Sequence, residues 1–239
     1  MGQPKIMRSS AIISHLVLRT GSFDGETTDR LLIEIGGQVR EFTKRDFQEI
    51  TFLKVVDDYE EFKFEGVVSN DSLFKKFFPG KYLSRNLVNQ FLEASVDWPT
   101  EVQVNYLKIY FVLNVLLADD AKNRTPCVEL IKAVEDTDTF GRHPWGNVVW
   151  NYLLGKVRKF VEKGGEPMEQ GKKKRKLHLP GFVEPLQVWG YECLPFLTNM
   201  GVCEKVSTTA RPIMRRWKSI GLVQDAAMRG INFNEVINL

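Results

Sequence analysis

The stretch from His143 to Leu197 constrains the fold more than any other part of the chain. It holds two aromatic-rich helical patterns separated by a segment without periodicity. Val148, Val149, Tyr152, Leu153, Val157 and Phe160 recur at three- and four-residue steps, and Gly164-Gly165 ends the run. That spacing draws an apolar stripe along a helix over 144–163, opened by His143-Pro144-Trp145 with proline in its first turn. A second helix resumes near Val183 and stops before Pro195. Two apolar stripes must be buried, so the rest of the chain has to supply facing surfaces.

The upstream residues supply them. LLIEI and QVREF are β-prone runs joined by Gly36-Gly37, which predicts a hairpin near residues 31–42. Thr43-x-x-Asp46 has the spacing of a capping box and opens a helix carrying Phe47, Ile50 and Leu53. Ser9 or Ser10 caps a first short helix whose inner face is Ile12, Ile13, Leu16 and Val17. Ser84 caps another, with Leu87, Val88, Phe91 and Leu92 inward. A second box, Thr100-x-x-Gln103, starts a helix over 101–118 that is apolar on nearly every side and is expected to lie centrally. Thr125-Pro126 opens a further helix, and a weak terminal one covers 224–237.

The expected fold class is therefore mainly α: a single helical domain with one small β-hairpin near residues 31–42. Residues 9–163 form an N-terminal helical part with the hairpin. Residues 164–180 are a basic linker or exposed loop. Residues 181–239 are a C-terminal helical part packed on the first, giving one compact domain overall.

Composition narrows the class of function. Hydrophobic content of 43% and charged content of 26% suit a globular chain with a full core. The longest apolar run, Tyr106–Ala118, contains Lys108 and Asn114 and is too short and polar to span a bilayer, so no membrane partner is expected. Cys127, Cys193 and Cys203 are an odd number without short spacing, and the start MGQPKIMRSS lacks an apolar signal segment. Reduced thiols inside the cell are the expectation. Net charge is only +3, but from Arg142 to Lys176 there are 10 Lys and Arg against 3 Glu. The first 141 residues hold 17 basic against 22 acidic side chains. An acidic body with a basic segment directs any anionic partner to that segment.

Several segments together resemble a known family. LLIEIGGQVREFTKRDFQEITFL, FFPGKYLSRNLVNQFLE, LKIYFVLNVLLADD, HPWGNVVWNYLL and GFVEPLQVWGYECLP occur in the order of a plant-specific domain of unknown function. That domain often stands upstream of SUMO-protease-like domains in genes related to Mutator-like transposable elements. The resemblance spans roughly residues 10–220. It implies an α-rich nuclear protein of unknown activity, and it carries no catalytic residues. The family usually has a further segment before the first helix and a peptidase domain after the last. The expectation is a truncated or stand-alone copy, or a degenerate remnant of such a gene.

Against that setting, Gln187 and Cys193 have the six-residue spacing that SUMO-type peptidases use for an oxyanion donor and a nucleophile, with His143 upstream. No Asp lies between His143 and Gln187, and Leu194 stands where a Gly is needed. A thiol at the end of an apolar helix with no orienting base is a core residue before it is a nucleophile. No catalytic residue is expected, and the chain is read as a non-enzyme.

No metal or cofactor is expected either. His15, His143, His178 and the cysteines have no pairing at zinc-ligand spacing, and no Gly-x-x-x-x-Gly-Lys phosphate loop occurs. Asp57, Asp58, Glu60 and Glu61 read as a solvated face. Trp145, Trp150, Trp189 and Trp217 read as core anchors.

The strongest functional signal is the run Lys172, Lys173, Lys174, Arg175 and Lys176. Five adjacent cations stay solvated and are available to a nuclear import receptor or to phosphates. Arg211, Arg215 and Arg216 form a secondary basic surface in RPIMRRWKS. Adjacent Arg215 and Arg216 diverge on a helix, so binding to nucleic acid through them would be weak and sequence-tolerant. The expected location is the nucleus, or nucleus and cytoplasm. The expected role is that of an interaction or accessory domain, with weak DNA binding as the alternative.

Overall fold

Gly36 and Gly37 take φ of 63° and 69°, the two-residue turn that only residues free of a Cβ enter readily. They join β1 (Arg30–Ile35) to β2 (Gln38–Thr43) in an antiparallel hairpin with Ile35 opposite Gln38 and Leu31 opposite Phe42. In β1 the alternation buries Leu31, Ile33 and Ile35. The computed structural model describes residues 6–21, 29–60, 98–117, 128–162 and 179–221. The expected helices at Ser84 and over 224–237, the Thr125-Pro126 start and the linker 164–178 lie outside the described residues.

Two compact units divide the chain: Met1–Val55 with Trp150–Leu179 and Val183–Leu239, and Val56–Val149 with Pro180–Phe182. In the first unit, α1 (Ser10–Val17) is followed by residues that extend the hairpin. Arg19 O accepts from Glu34 N–H, and Gly21 N–H donates to Leu32 O. Helix α2 (Lys44–Thr51) begins at the capping box read from the sequence. The Thr43 hydroxyl accepts from Asp46 N–H at 3.1 Å, and the Asp46 carboxylate accepts from Thr43 N–H at 2.8 Å. The short Asp side chain is long enough to close the box.

The hairpin delivers Phe42 to the core between two tryptophans. Its ring meets Trp150 at 5.4 Å and Trp189 at 5.6 Å, and Phe47 meets Trp150 at 5.8 Å. Truncating such a ring to alanine costs about 3–5 kcal/mol. Trp150 lies on α6 (Trp145–Glu162) and Trp189 on α7 (Glu184–Cys193), the two helices that flank the basic linker. Trp145, Trp150, Trp189 and Trp217 are all buried. Helix α7 packs on α1 and α2. Gly190 permits its close approach to α1, since a Cβ there would stand 3.0 Å from Leu16 Cδ1.

The described residues are helix-rich, but the single-hairpin expectation needs correction. A second small sheet pairs β3 (Cys203–Lys205) with β4 (Trp217–Ser219), Lys205 opposite Trp217. Three-residue strands leave too little alternation to be read from sequence. This sheet is pinned to α7 by Glu192, which accepts from Trp217 Nε1 at 2.7 Å and from Lys205 Nζ at 3.1 Å. Before it, α8 (Phe196–Asn199) is one turn, closed at Gly201 with φ 66°.

The second unit contains α3 (Thr100–Tyr110), α4 (Val128–Glu135), α5 (Thr137–Arg142) and the first residues of α6. The helix expected over 101–118 is present, but two expectations about it fail. Pro99 is the N-cap, so Thr100 already lies inside the helix and its box with Gln103 does not form. Gln103 Nε2 donates to Trp98 O at 2.8 Å instead. Past Tyr110 the helix widens into a π-helix over Phe111–Leu116, with Leu117 N–H bonded to Val112 O. Nor is this helix buried all round. Val102, Tyr106, Ile109, Val112, Leu113 and Leu116 face inward, while Val104, Leu107, Phe111 and Val115 are exposed. Helix α5 was not legible as a separate element, although Asp136 caps it through the N–H groups of Asp138 and Thr139. Lys108 ties three of these helices by donating to Val134 O, to Thr137 Oγ1 and to Asn105 Oδ1.

Candidate interaction surface

Gln187 is the residue whose sequence context most suggested chemistry, and its amide is fully engaged. It is completely buried. Its Oε1 accepts from Ser9 N–H at 2.7 Å, and its Nε2 donates to Met7 O at 3.0 Å and to the Tyr191 hydroxyl. The Tyr191 hydroxyl in turn meets Ser219 Oγ at 3.1 Å, and Ser219 Oγ accepts from Met7 N–H at 3.0 Å. Arg8 closes the same region by donating to Leu179 O. An amide with both hydrogens committed has none left for an oxyanion. Its work is to fasten the strand-like entry into α1 onto α7 and β4. Ser9 stands at the N-cap of α1, but its hydroxyl makes no capping bond and is buried without a partner. The expected serine cap is therefore absent, and Gln187 holds this backbone instead.

Cys193 ends the same helix, with its side chain partly buried. Burial pushes its thiol up to about 11. The Arg40 guanidinium pulls the other way, and Asp46 and Glu192 reinforce the rise. A thiol held protonated at neutral pH is a poor nucleophile. Burial also raises the Cys203 thiol, which sits 3.7 Å from Thr198 Oγ1. His143 lies among aromatic rings in the second unit, 4.4 Å from Trp145 and 6.5 Å from Tyr59. His15 is buried on α1, with Arg19 Nη1 at 3.1 Å from its Nδ1. Among the described residues no group of three His, Cys, Asp or Glu side chains is arranged to hold a metal, and no helix is long and apolar enough to cross a membrane.

The second unit has a comparable device that sequence reasoning missed. Asn147 is fully buried; its Oδ1 accepts from Val56 N–H and its Nδ2 donates to Val56 O, both at 2.8 Å. A side-chain amide thus bonds both backbone polar groups of Val56, as a neighbouring strand would. The nearby Asp57, Asp58 and Glu60 are exposed, as a solvated acidic face requires, and Glu61 lies outside the described residues.

The basic run Lys172–Lys176 also lies outside the described residues. The secondary arginines are placed. Arg211 and Arg215 are exposed, whereas Arg216 is half-buried and donates its Nε–H to Ala210 O at 2.9 Å. Arg216 therefore closes its own loop, and the three arginines do not form one uniform surface. Arg215 belongs to the 3-10 turn Ile213–Arg216, which packs beside α2. Arg211 reaches α2 directly, with Nη1 3.6 Å from Glu49.

That contact draws attention to a face of α2 that the sequence did not mark as functional. Arg45, Gln48, Glu49 and Phe52 recur at helical spacing and line an open cavity of about 370 Å³. Arg45 Nε lies 3.5 Å from Glu49, so this carboxylate stands between two guanidiniums. Phe52 follows the last turn at φ 61° and is 60% exposed, although the sequence pattern offers no reason to leave a phenylalanine in water. It is the one described residue other than glycine with positive φ. Its N–H donates to Gln48 O at 2.7 Å, which closes the helix end.

A family model described as Domain of unknown function (DUF1985) matches residues 22–156. The chain belongs to this family. The match takes in the hairpin, all of α2 with Phe52, and α6 as far as Lys156. Gln187, Cys193 and the Arg211–Arg216 loop lie beyond it. No curated protein and no solved structure matches the chain.

Proposed function

We propose that this member of the DUF1985 family is a non-enzymatic interaction or accessory domain. The observation that carries the reading is the α2 face, where Arg45 and an exposed Phe52 line one cavity and Arg211 reaches the Glu49 carboxylate between them. Arginine and aromatic side chains are the groups most enriched in the energetic centres of protein interfaces. The committed amide of Gln187 and the raised Cys193 thiol support the non-enzymatic part. A vinyl-sulfone probe built on a ubiquitin-like protein tests that part directly. It should leave Cys193 unmodified, and covalent capture at Cys193 would sink it.

The likeness to domains found upstream of SUMO-protease-like peptidases supports a nuclear, transposon-related setting in plants. In that setting Lys172–Lys176 serve an import receptor. At 27.5 kDa the free chain is small enough to diffuse through nuclear pores, so a large fluorescent fusion is the suitable reporter. Replacing all five cations with alanine should move that fusion into the cytoplasm. Undiminished nuclear accumulation would remove the import role.

The arginines also favour a second reading, weak and sequence-tolerant DNA binding. It requires retention on duplex DNA that falls steeply as salt rises. No retention at low salt would end it.

A further inference from the structure

We infer that the exposed face of α2 is a docking groove for an acidic peptide segment of a partner protein, one that carries a large apolar side chain between its carboxylates. The inference rests on the reading of the chain as an interaction domain and names the partner's chemistry. Phe52 is the first reason. A bulky residue in left-handed backbone is strained, and such strain persists where surrounding bonds hold it. Here the Phe52 N–H is bound by Gln48 O, and the next N–H, of Leu53, is bound by Thr51 Oγ1 at 3.1 Å. At 60% exposure the ring contributes little to the core. Its remaining apolar surface is available to a second apolar group at the edge of the cavity.

Charge is the second reason. Two guanidiniums, those of Arg45 and Arg211, share one carboxylate, Glu49. Both arginine contacts to Glu49 are exposed and long, 3.5 and 3.6 Å, so they hold the guanidiniums only weakly. An incoming carboxylate can replace Glu49 at either guanidinium and form the shorter forked pair that arginine prefers. The groove would thus read two features together, negative charge at the rim and an apolar side chain on Phe52. Nucleic acid fits less well. Glu49 stands between Arg45 and Arg211 and would repel a phosphate there, and so few cations release few counterions.

The test uses the full chain and fluorescence anisotropy with a fluorescein-labelled peptide in which Asp and Glu flank a single Leu-Phe pair. A peptide with Ser-Ser in place of Leu-Phe and a labelled DNA duplex serve as comparisons. Saturable binding of the first peptide is expected, weakened roughly tenfold or more in Phe52→Gly and again in the double variant Arg45→Glu, Arg211→Glu. The Ser-Ser peptide and the duplex should bind at least roughly tenfold more weakly at physiological salt. Glycine suits the left-handed backbone at this position, so the Phe52→Gly chain remains folded, and its thermal melt verifies that. Binding that ignores both variants, that disappears only when Lys172–Lys176 are replaced, or that is tighter for the duplex overturns the inference. So does the absence of saturable peptide binding, which leaves the non-enzymatic reading standing as long as the peptide is recovered intact. Cleavage of the peptide, read by mass spectrometry in the same samples, sinks that reading and the inference with it.

Discussion

Gln187 and Phe52 are a polar and an apolar side chain, each in the environment usual for the other. Gln187 is fully buried in the first unit, and Phe52 is 60% exposed at the end of α2 in the same unit. The buried amide is fully satisfied by three bonds, so its burial costs little and orders the entry to α1. The exposed ring lies in strained backbone and packs little of its surface. One placement stabilises the fold, and the other is tolerated by it. Residue type alone points the wrong way in both cases, because partners and accessibility decide what a side chain does.

Gln187→Ala gives the strongest test of that contrast. It leaves Ser9 N–H without its acceptor, leaves Met7 O and the Tyr191 hydroxyl with Ser219 alone, and opens a cavity. Urea denaturation should show a loss of roughly 3–5 kcal/mol with the slope unchanged. A loss below about 1 kcal/mol would mean that the amide is not the fastener described. Asn147→Ala applies the same logic to the second unit. It removes both of the bonds to Val56 and should cost roughly 2–3 kcal/mol, with faster hydrogen exchange at the Val56 amide.

Phe52→Gly should act in the opposite direction. Relief of the left-handed strain outweighs the small packing loss and raises stability by up to about 1 kcal/mol, seen as a higher Tm. A clear drop in Tm would show that the ring is structural after all.

The smallest effect belongs to Cys193. Its thiol is raised in the folded chain, so the unfolded chain ionises first as pH increases. The contribution of this burial is fully present below the unfolded thiol's pKa and is lost as pH rises toward about 11. Alkylation followed by peptide mapping should find Cys193 almost inert near neutrality and reactive only as pH approaches that value. Rapid labelling at neutral pH would contradict the burial and reopen the nucleophile question.

Legibility followed the range of the interactions. Gly36-Gly37 and the Thr43–Asp46 box were readable because each feature is completed within four residues. The Thr100–Gln103 box failed because a start one residue earlier moves Thr100 off the cap, and a local pattern does not fix such a shift. The apolar stripes of α6 and α7 gave both helices, and their tryptophans went to the core as their spacing required. The candidate surface was only half legible. Arg211 and Arg215 were marked as basic, but nothing in RPIMRRWKS says that this loop meets α2.

The sequence by itself determined the helix-rich class, the hairpin and its turn, the α2 cap and the membership of the aromatic core. These follow from backbone preferences and hydrophobic periodicity, which act between near neighbours. Only the tertiary structure decided that Gln187 is a fastener, that Cys193 is held protonated, that β3 and β4 pair, and that an exposed Phe52 shares a cavity with Arg45 and Glu49. Gln187 finds Ser9 across 178 residues and Asn147 finds Val56 across 91. Contacts at that separation leave no period in the chain, since they form only after folding has brought the segments together.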